Sequence, residues 1–363
     1  MYDIAIIGAG INGASVAYEF TQAKKSVVVF DMEGIASGGS GAAGAFISPK
    51  FSKSGELKEL IHNAFVYSMD FYKKNLPSDF SETPLIHFAK DEKDDETLRI
   101  YKENTTLKLN NINSDFERET VALNAGVVSA KSMCESMIDG SVFLKQKVET
   151  LEYDDGMWII NEAYSAKHVV LSTGAYESLI KEPYIKLRGV WGHRIDVKTS
   201  TDNPNSLHQF VSISPSSDGV LAIGATHNVH YHPQTTTEPY DIEAGRAELL
   251  EKAAKTINLE DVEVIKDYTG LRSGSFDYMP IVGSLVLSTE TLASKSIRFK
   301  VKKPNFDEYT YYPNLYMING NGGYGFVLAP YLAKMLNKHI FSGEKINDRL
   351  SPARFFARYA KKL

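Results

Sequence analysis

Apolar residues along the chain fall in short runs separated by glycine-rich or polar stretches. Met1 to Ile7 is apolar and β-branched, the pattern of a buried parallel strand. Ala14 to Lys24 has helical character, and Ser26 to Phe30 is a second strand-like run that ends at Asp31. The pattern then predicts a helix over Glu56 to Asn75, a short strand over Leu85 to Ala89, a charged helix over Asp91 to Leu107 and a helix over Ala130 to Ile138. Short strands follow at Val142 to Leu144, Lys147 to Tyr153, Met157 to Asn161 and His168 to Leu171, with Asp154-Asp155-Gly156 as a hairpin turn. Lys186 to Gly224 reads as extended strands with polar loops, and Asp241 to Ile257 as an amphipathic helix. Val262 to Arg272, Pro280 to Val286 and Leu315 to Ile318 return to strand, and a last helix is expected over Phe326 to His339.

Between the first strand and its helix lies Gly8-Ala9-Gly10-Ile11-Asn12-Gly13, a G-x-G-x-x-G inside a complete strand–helix–strand unit. Gly8 permits the tight turn, Gly10 lets a pyrophosphate approach the backbone, and Gly13 lets the helix pack closely on the strands. The phosphates would face the free N–H groups at the helix start. Asp31 stands 23 residues after Gly8, where a carboxylate accepts ribose hydroxyls, with Met32 beside it. An acid here rather than an arginine argues against NADP. The predicted class is α/β, with a dinucleotide-binding unit at the N-terminus.

Two further glycine-dense stretches add to this. Gly34 to Ala45, which holds Gly39, Ser40, Ala43, Gly44 and Ala45, has the composition of a linker, but its position before a long helix suits a segment that wraps a planar ligand. Near the C-terminus, Asn319 to Gly325 leads into a helix through Gly322, Gly323, Tyr324, Gly325 and Phe326. Glycine loops at both ends of the chain fit one long ligand. A flavin needs a helix start beside its ring, which carries negative charge near N1 and C2=O when reduced; a plain strand–helix turn is the simpler use of such glycines. Ser172-Thr173-Gly174-Ala175 closes another central strand at the same expected edge.

Composition narrows the setting. The 363 residues suffice for two packed domains, with 43% hydrophobic and 23% charged residues. No signal-peptide pattern and no apolar run near ~18 residues is present, and a single cysteine, Cys134, excludes an internal disulfide and a cysteine-based metal cluster; a cytoplasmic protein is expected. Net charge is −5, so general attraction for nucleic acid is not expected. Local basic runs exist: Lys295, Arg298, Lys300, Lys302 and Lys303, and a tail with Lys345, Arg349, Arg354, Arg358, Lys361 and Lys362. Each is either a solvated face or a phosphate-contacting patch. Arg272, in Gly270-Leu271-Arg272, suits bidentate capture of a carboxylate or else a structural ion pair. His193 is read as a sheet-face residue, and His227, His230 and His232 lack metal-site spacing, so no metal is expected.

These motifs together resemble the D-amino-acid oxidase superfamily of FAD enzymes, nearly end to end. The resemblance implies FAD as cofactor, Asp31 on the adenosine ribose, the backbone of a strand at Val148 on adenine, and Arg272 on the substrate carboxylate. It implies a Rossmann-like FAD-binding domain from residues 1–80, 126–185 and 310–363, with an inserted antiparallel-sheet (α+β) substrate domain from 81–125 and 186–309. The expected reaction is oxidation of an N–Cα bond by hydride transfer to the flavin, with hydrolysis of the imine. Arg272 would anchor the substrate, Tyr278 and Tyr324 would shape the pocket, and Lys50 would sit near the flavin. A narrower resemblance links Ala36 to Lys50, Gly224-Ala225-Thr226, Asp277 to Gly283 and Leu350 to Arg358 with the oxidase half of a bifunctional bacterial family that builds 5-methylaminomethyluridine in tRNA. Ala42 stands where that family has asparagine. It implies a carboxymethylamino substrate on a wobble uridine and tRNA as partner. The rivals are an oxidase or dehydrogenase of a free small amino acid such as glycine, sarcosine or a D-amino acid, and a subunit that holds its flavin structurally.

Overall fold

The computed structural model describes residues 1–112, 116–176 and 179–363. The strand Tyr2–Ile7 lies at the centre of the first sheet, parallel to Val27–Asp31 on one side and to Tyr164–Leu171 on the other. Its alternate residues feed two cores, as the two-residue period of a strand requires. Ile4 and Ile6 face the helices Ile11–Gln22, Glu56–Asn75, Ala130–Ile138 and Gly325–Ser342. Ala5 and Ile7 face the opposite side, where Trp158 and Ile160 of a hairpin meet Phe355, Phe356 and Ala360 of the helix Ala353–Ala360. Burial on both faces explains why the strand is apolar throughout.

The full order of this sheet is Ile281–Val286, Tyr311–Asn319, Tyr164–Leu171, Tyr2–Ile7, Val27–Asp31, Val142–Lys145, with the hairpin Leu151–Asp154 and Met157–Ile160 continuing from Tyr164–Leu171. The hairpin turns at Asp155 and Gly156, both at positive φ (43° and 80°), as a tight two-residue turn demands. The first helix starts at Ile11 rather than Ala14, so Gly13 sits within its first turn. There a β-carbon would collide with the Gly8 carbonyl, which is why the helix can start so close to the strand end.

The second sheet runs Glu263–Ser275, Leu187–Lys198, Val220–Gly224, Ser212–Ile213, Ser206–His208, Phe80–Phe88, Thr120–Val128, Phe46–Ile47. Most neighbours are antiparallel; Ser206–His208 and Phe80–Phe88 are parallel. The helix Ile242–Ala254 covers part of it through Leu249 and Ala253, packed on Ile195, Val197, Leu221 and Ile223.

Several expectations need correction. Thr120–Val128 is a strand that the sequence pattern did not separate from its surroundings, and its partner Phe80–Phe88 is longer than expected and carries Pro84 within it. The strand expected from Lys147 begins at Leu151, so Val148 lies in a loop, although buried. The charged helix ends at Asn104. The boundary near residue 309 shifts as well: Ile281–Val286 pairs with Tyr311–Asn319 in the first sheet, its Val282 packed into one core and Ile281 and Leu285 into the other. Conversely, Phe46–Ile47 pairs with Thr120–Val128 in the second sheet. Cys134 is fully buried, and burial pushes its thiol far up from its ordinary value. No described helix is long and apolar enough to cross a membrane.

Four of the six basic residues of the tail are engaged within the fold. Lys345 pairs with Asp307 at 3.0 Å and Arg349 with Glu56 at 2.7 Å, while Arg354 and Arg358 both reach Asp277 at 3.0 Å. The surface pairs contribute little. The Arg354 pair is different, because its side chain is 6% exposed and that of Asp277 is 12% exposed. Nε and Nη2 of Arg354 grip the two carboxylate oxygens, and its remaining donors satisfy the Leu350, Ser351 and Met279 carbonyls. Burial raises the Asp277 pKa, but the arginine contacts outweigh it and hold the carboxyl below its ordinary value. Its stabilising contribution is therefore present above about pH 4 and lost as pH falls through the folded value. Arg354→Met strands Asp277 with Arg358 alone and is expected to cost about 3 kcal/mol. Chemical denaturation checks this: an unchanged midpoint would show that the pair does not stabilise the fold.

Candidate active site

A cavity of about 1010 Å³ lies between the two sheets, at the upper end of the range for small-ligand pockets. The C-terminal ends of Tyr2–Ile7, Tyr164–Leu171 and Tyr311–Asn319 share its edge, so the turns that follow these parallel strands all open onto it. The first turn supplies Gly8, Gly10, Ile11 and Asn12, and the end of the second strand supplies Asp31 and Met32. The small-residue segment contributes Gly39, Ser40, Ala43, Gly44 and Ala45, and the turn after Leu171 contributes Gly174. The last loop adds Gly322, Gly323, Tyr324, Gly325 and Phe326, and Val148 lines the wall from its loop. Gly13 lies behind this wall, in the helix–strand contact.

Hydrogen bonds fix these pieces together. Asp31 Oδ2 accepts from the Ala9 N–H at 2.8 Å, and Oδ1 accepts from Glu33 and Gly34 at 2.9 and 3.0 Å. The Ser40 hydroxyl accepts from the Ile11 N–H at 2.9 Å, tying the small-residue segment to the first helix start. Neither the helix Ile11–Gln22 nor Gly325–Ser342 has a side-chain cap of its own, and both begin at the cavity. Asn321 Nδ2 donates to Asn12 Oδ1 at 2.6 Å and closes one loop upon the other.

The second sheet forms the other wall. Gly39 lies so close to the strand Glu263–Ser275 that a β-carbon there would stand 2.6 Å from the Leu271 carbonyl oxygen, and one on Gly270 would stand 2.9 Å from Ala42. Arg272 lines the cavity from that strand. It sits within the strand, opposite Val190, rather than at its end. Its Nη2 donates to the Thr226 carbonyl, and among the described residues no carboxylate pairs with it. Burial pulls its pKa down, the signature of a cation held out of water without a counter-ion.

Two other sequence candidates lie elsewhere. Lys50 is half-buried outside the cavity lining, with Nζ 5.7 Å from the Tyr324 ring centroid, and burial lowers its pKa. Burial pushes the Tyr324 phenol up to about 12, so it stays protonated. Tyr278 does not shape the cavity: it is 63% exposed on the loop beyond Ser275, because Asp277 beside it is drawn inward to Arg354. His193 is a buried sheet-face residue, with Nε2 2.9 Å from Asp267, and the described residues hold no metal-binding cluster.

Sequence reasoning missed three contributors. Arg194 reaches from the second sheet to donate to the Ala43 carbonyl at 2.6 Å, bracing the small-residue segment while its guanidinium stacks 3.8 Å from the Tyr268 ring centroid. Asn319, fully buried, donates to the Gly174 carbonyl at 2.9 Å and accepts from Ser273 at 2.8 Å, joining three cavity-lining segments. His208 lines the cavity, and burial pushes it down to about 4, so it is neutral at physiological pH.

The matching family model is "FAD dependent oxidoreductase" (DAO), over residues 3–338, and the chain belongs to this family. FAD is its cofactor, and it is an FAD-dependent oxidoreductase. Two curated relatives are bifunctional proteins named for tRNA 5-methylaminomethyl-2-thiouridine biosynthesis. The one from Campylobacter jejuni is 26% identical over 99% of this chain and 59% of its own length; the one from Legionella pneumophila is 23% identical over 96% and 56%. The chain thus spans less than three fifths of these relatives. Among solved structures, glycine oxidase from Geobacillus kaustophilus matches with a TM-score of 0.72 at 17% identity, covering 96% of both chains. Iminodiacetate oxidase from Chelativorans sp. BNC1 matches with a TM-score of 0.71 at 16% identity, covering 96% of this chain and 98% of its own.

The cavity fits the cofactor on its own chemistry. Thr173 Oγ1 and Asn321 Oδ1 are buried polar atoms without a partner among the described residues, and both residues line it. Two uncapped helix starts offer N–H groups to an anionic ligand. Gly39→Val, which drives a side chain into Leu271, is expected to purify largely without flavin. The ratio of flavin to protein absorbance checks this; a wild-type ratio would show that the segment does not depend on that close approach.

Proposed function

We propose that this chain oxidises the N–C bond of a carboxymethylamine, and that the amine is the carboxymethylaminomethyl group of a wobble uridine in tRNA. The observation that carries the chemistry is Arg272, a half-buried guanidinium facing the cavity with no carboxylate partner among the described residues. Such a group is ready for the carboxylate of a glycine-like substrate, in a bidentate grip that a lysine could not reproduce. The tRNA part is supported by the names of the curated relatives, which align with nearly all of this chain.

Bound FAD supplies the two-electron acceptor for the Cα hydride, after which water splits the C=N bond to release the free amine and an aldehyde acid. The protein's own part is to hold and orient. Asp31 has carboxylate acceptor sites left beyond its backbone contacts, enough for a ribose hydroxyl. The Val148 backbone would meet the adenine. The start of Ile11–Gln22 would face the pyrophosphate, and the start of Gly325–Ser342 the electron-rich edge of the ring. Arg272 would fix the carboxylate so that one Cα–H points at the acceptor, and proximity then replaces a strong base. Tyr324, protonated, and Lys50 behind it would shape the floor of the substrate space.

Oxidation of a free small amino acid is the competing reading, favoured by the end-to-end coverage of the glycine oxidase fold. Anaerobic mixing of the FAD-loaded protein with glycine, sarcosine, D-alanine and carboxymethylaminomethyl-modified tRNA separates the two. Rapid bleaching by the modified tRNA, with slow or no bleaching by the free amino acids, is expected. Rapid bleaching by a free amino acid at low concentration, with none by the tRNA, would replace the proposal; no bleaching by any of them would favour a structural flavin.

A further inference from the structure

The loop that follows the strand Glu263–Ser275 holds two large aromatic rings in solvent. Phe276 is 58% exposed and Tyr278 is 63% exposed, on either side of the buried Asp277. The loop is not slack. Asp277 is gripped by Arg354 and Arg358 and also accepts from the Ser275 hydroxyl at 3.1 Å. The Met279 carbonyl is bound by both Ser275 and Arg354. Tyr278 is held at φ +63°, a conformation that tyrosine seldom adopts. An ion-paired base thus fixes two rings outward, where they bury nothing of their own.

Beside them stands a second unpaired cation. The Arg188 guanidinium lies 5.0 Å from the Tyr278 ring centroid. Arg188 makes no ion pair among the described residues, and its buried Nε has no partner. It lies opposite Gly274 in the ladder, next to Ser273 and Arg272, which line the cavity. The guanidinium and the loop therefore adjoin the cavity-lining stretch of the strand, where Gly274 also bridges to the lining residue Asn321, although none of the three residues lines the cavity itself. Below the loop, Phe356 on the helix that carries Arg354 packs 6.0 Å from Phe299, which brings the exposed Arg298 and Lys300 to the same helix.

We propose that Phe276, Tyr278 and Arg188 form a platform for a single-stranded RNA loop. A base adjoining the one that enters the cavity stacks on the rings, and Arg188 contacts the phosphate between them. Single-stranded RNA is recognised in this way, by splayed bases stacked on aromatic side chains with arginine beside them. Where an enzyme draws a base of an RNA loop out of its stack, a neighbour stacked beside the cavity compensates for the lost contact. The platform rests on the tRNA reading above and adds the surface that would read the loop.

The test uses the full FAD-loaded chain and a short anticodon-type stem-loop carrying the carboxymethylaminomethyl uridine, with affinity read by fluorescence anisotropy. The double variant Phe276→Ala/Tyr278→Ala is expected to bind about tenfold more weakly or worse, with flavin content and melting temperature unchanged. Tyr278→Trp, which keeps a stacking face, is expected to hold wild-type affinity. Arg188→Gln is expected to reduce the salt dependence of binding by about one phosphate contact. If the stem-loop bleaches the wild-type flavin but the double variant binds it undiminished, the platform is overturned and the functional reading stands. If sarcosine bleaches the flavin and the stem-loop does not, the reading fails and the platform with it.

Discussion

Two helix starts, drawn from segments 309 residues apart, meet side by side at the lining of a single cavity, where the Asn321–Asn12 hydrogen bond ties them together. Each start carries the positive end of a helix dipole, so their meeting favours something electron-rich beside them. The fold accepts this because the strands Tyr2–Ile7 and Tyr311–Asn319 both run parallel to Tyr164–Leu171. Parallel strands end at the same edge, and the helices that follow must begin there. The cavity thus follows from sheet topology, and the glycines are the local adjustments that let backbone come close enough.

The arginines of the second sheet and its loops divide by what they face. Arg246 grips Asp267, and Arg354 grips Asp277, each through two nitrogens. Arg194 is spent on the Ala43 carbonyl, the Tyr268 ring and the Asp196 carboxylate, 3.5 Å away. Arg272 has a single carbonyl for company, in a chain with 45 acidic and 40 basic residues that could readily have placed an acid beside it. Holding a guanidinium from water without an anion is costly. On the proposed function, the missing anion arrives with the substrate.

Much of this was legible in the sequence. The opening unit announces itself because an apolar strand, a glycine turn and an acid stand at set distances, each demanded by local geometry. The small-residue segment was readable as a place of close backbone contact, seen where Gly39 meets Leu271 and Gly270 meets Ala42. What stayed hidden depends on partners distant in sequence. Thr120–Val128 acquires its identity from Phe80–Phe88 and the two-residue Phe46–Ile47. Asn319 and Arg194 are ordinary polar residues until the fold places carbonyls before them. Tyr278 was expected to shape the pocket, but the inward pull on Asp277 from a helix more than seventy residues later leaves it in solvent.

The most direct measurement asks whether Arg272 receives a carboxylate beside the flavin, independently of which amine is the true substrate. The FAD-loaded protein and its Arg272→Met variant would be titrated with methoxyacetate, a carboxylate with no amine to oxidise, while the flavin absorbance is followed. A saturable spectral shift in the wild type that is lost in the variant is the expected result. Equal shifts in both, with equal affinity, would contradict the role given to Arg272 and with it the proposed substrate.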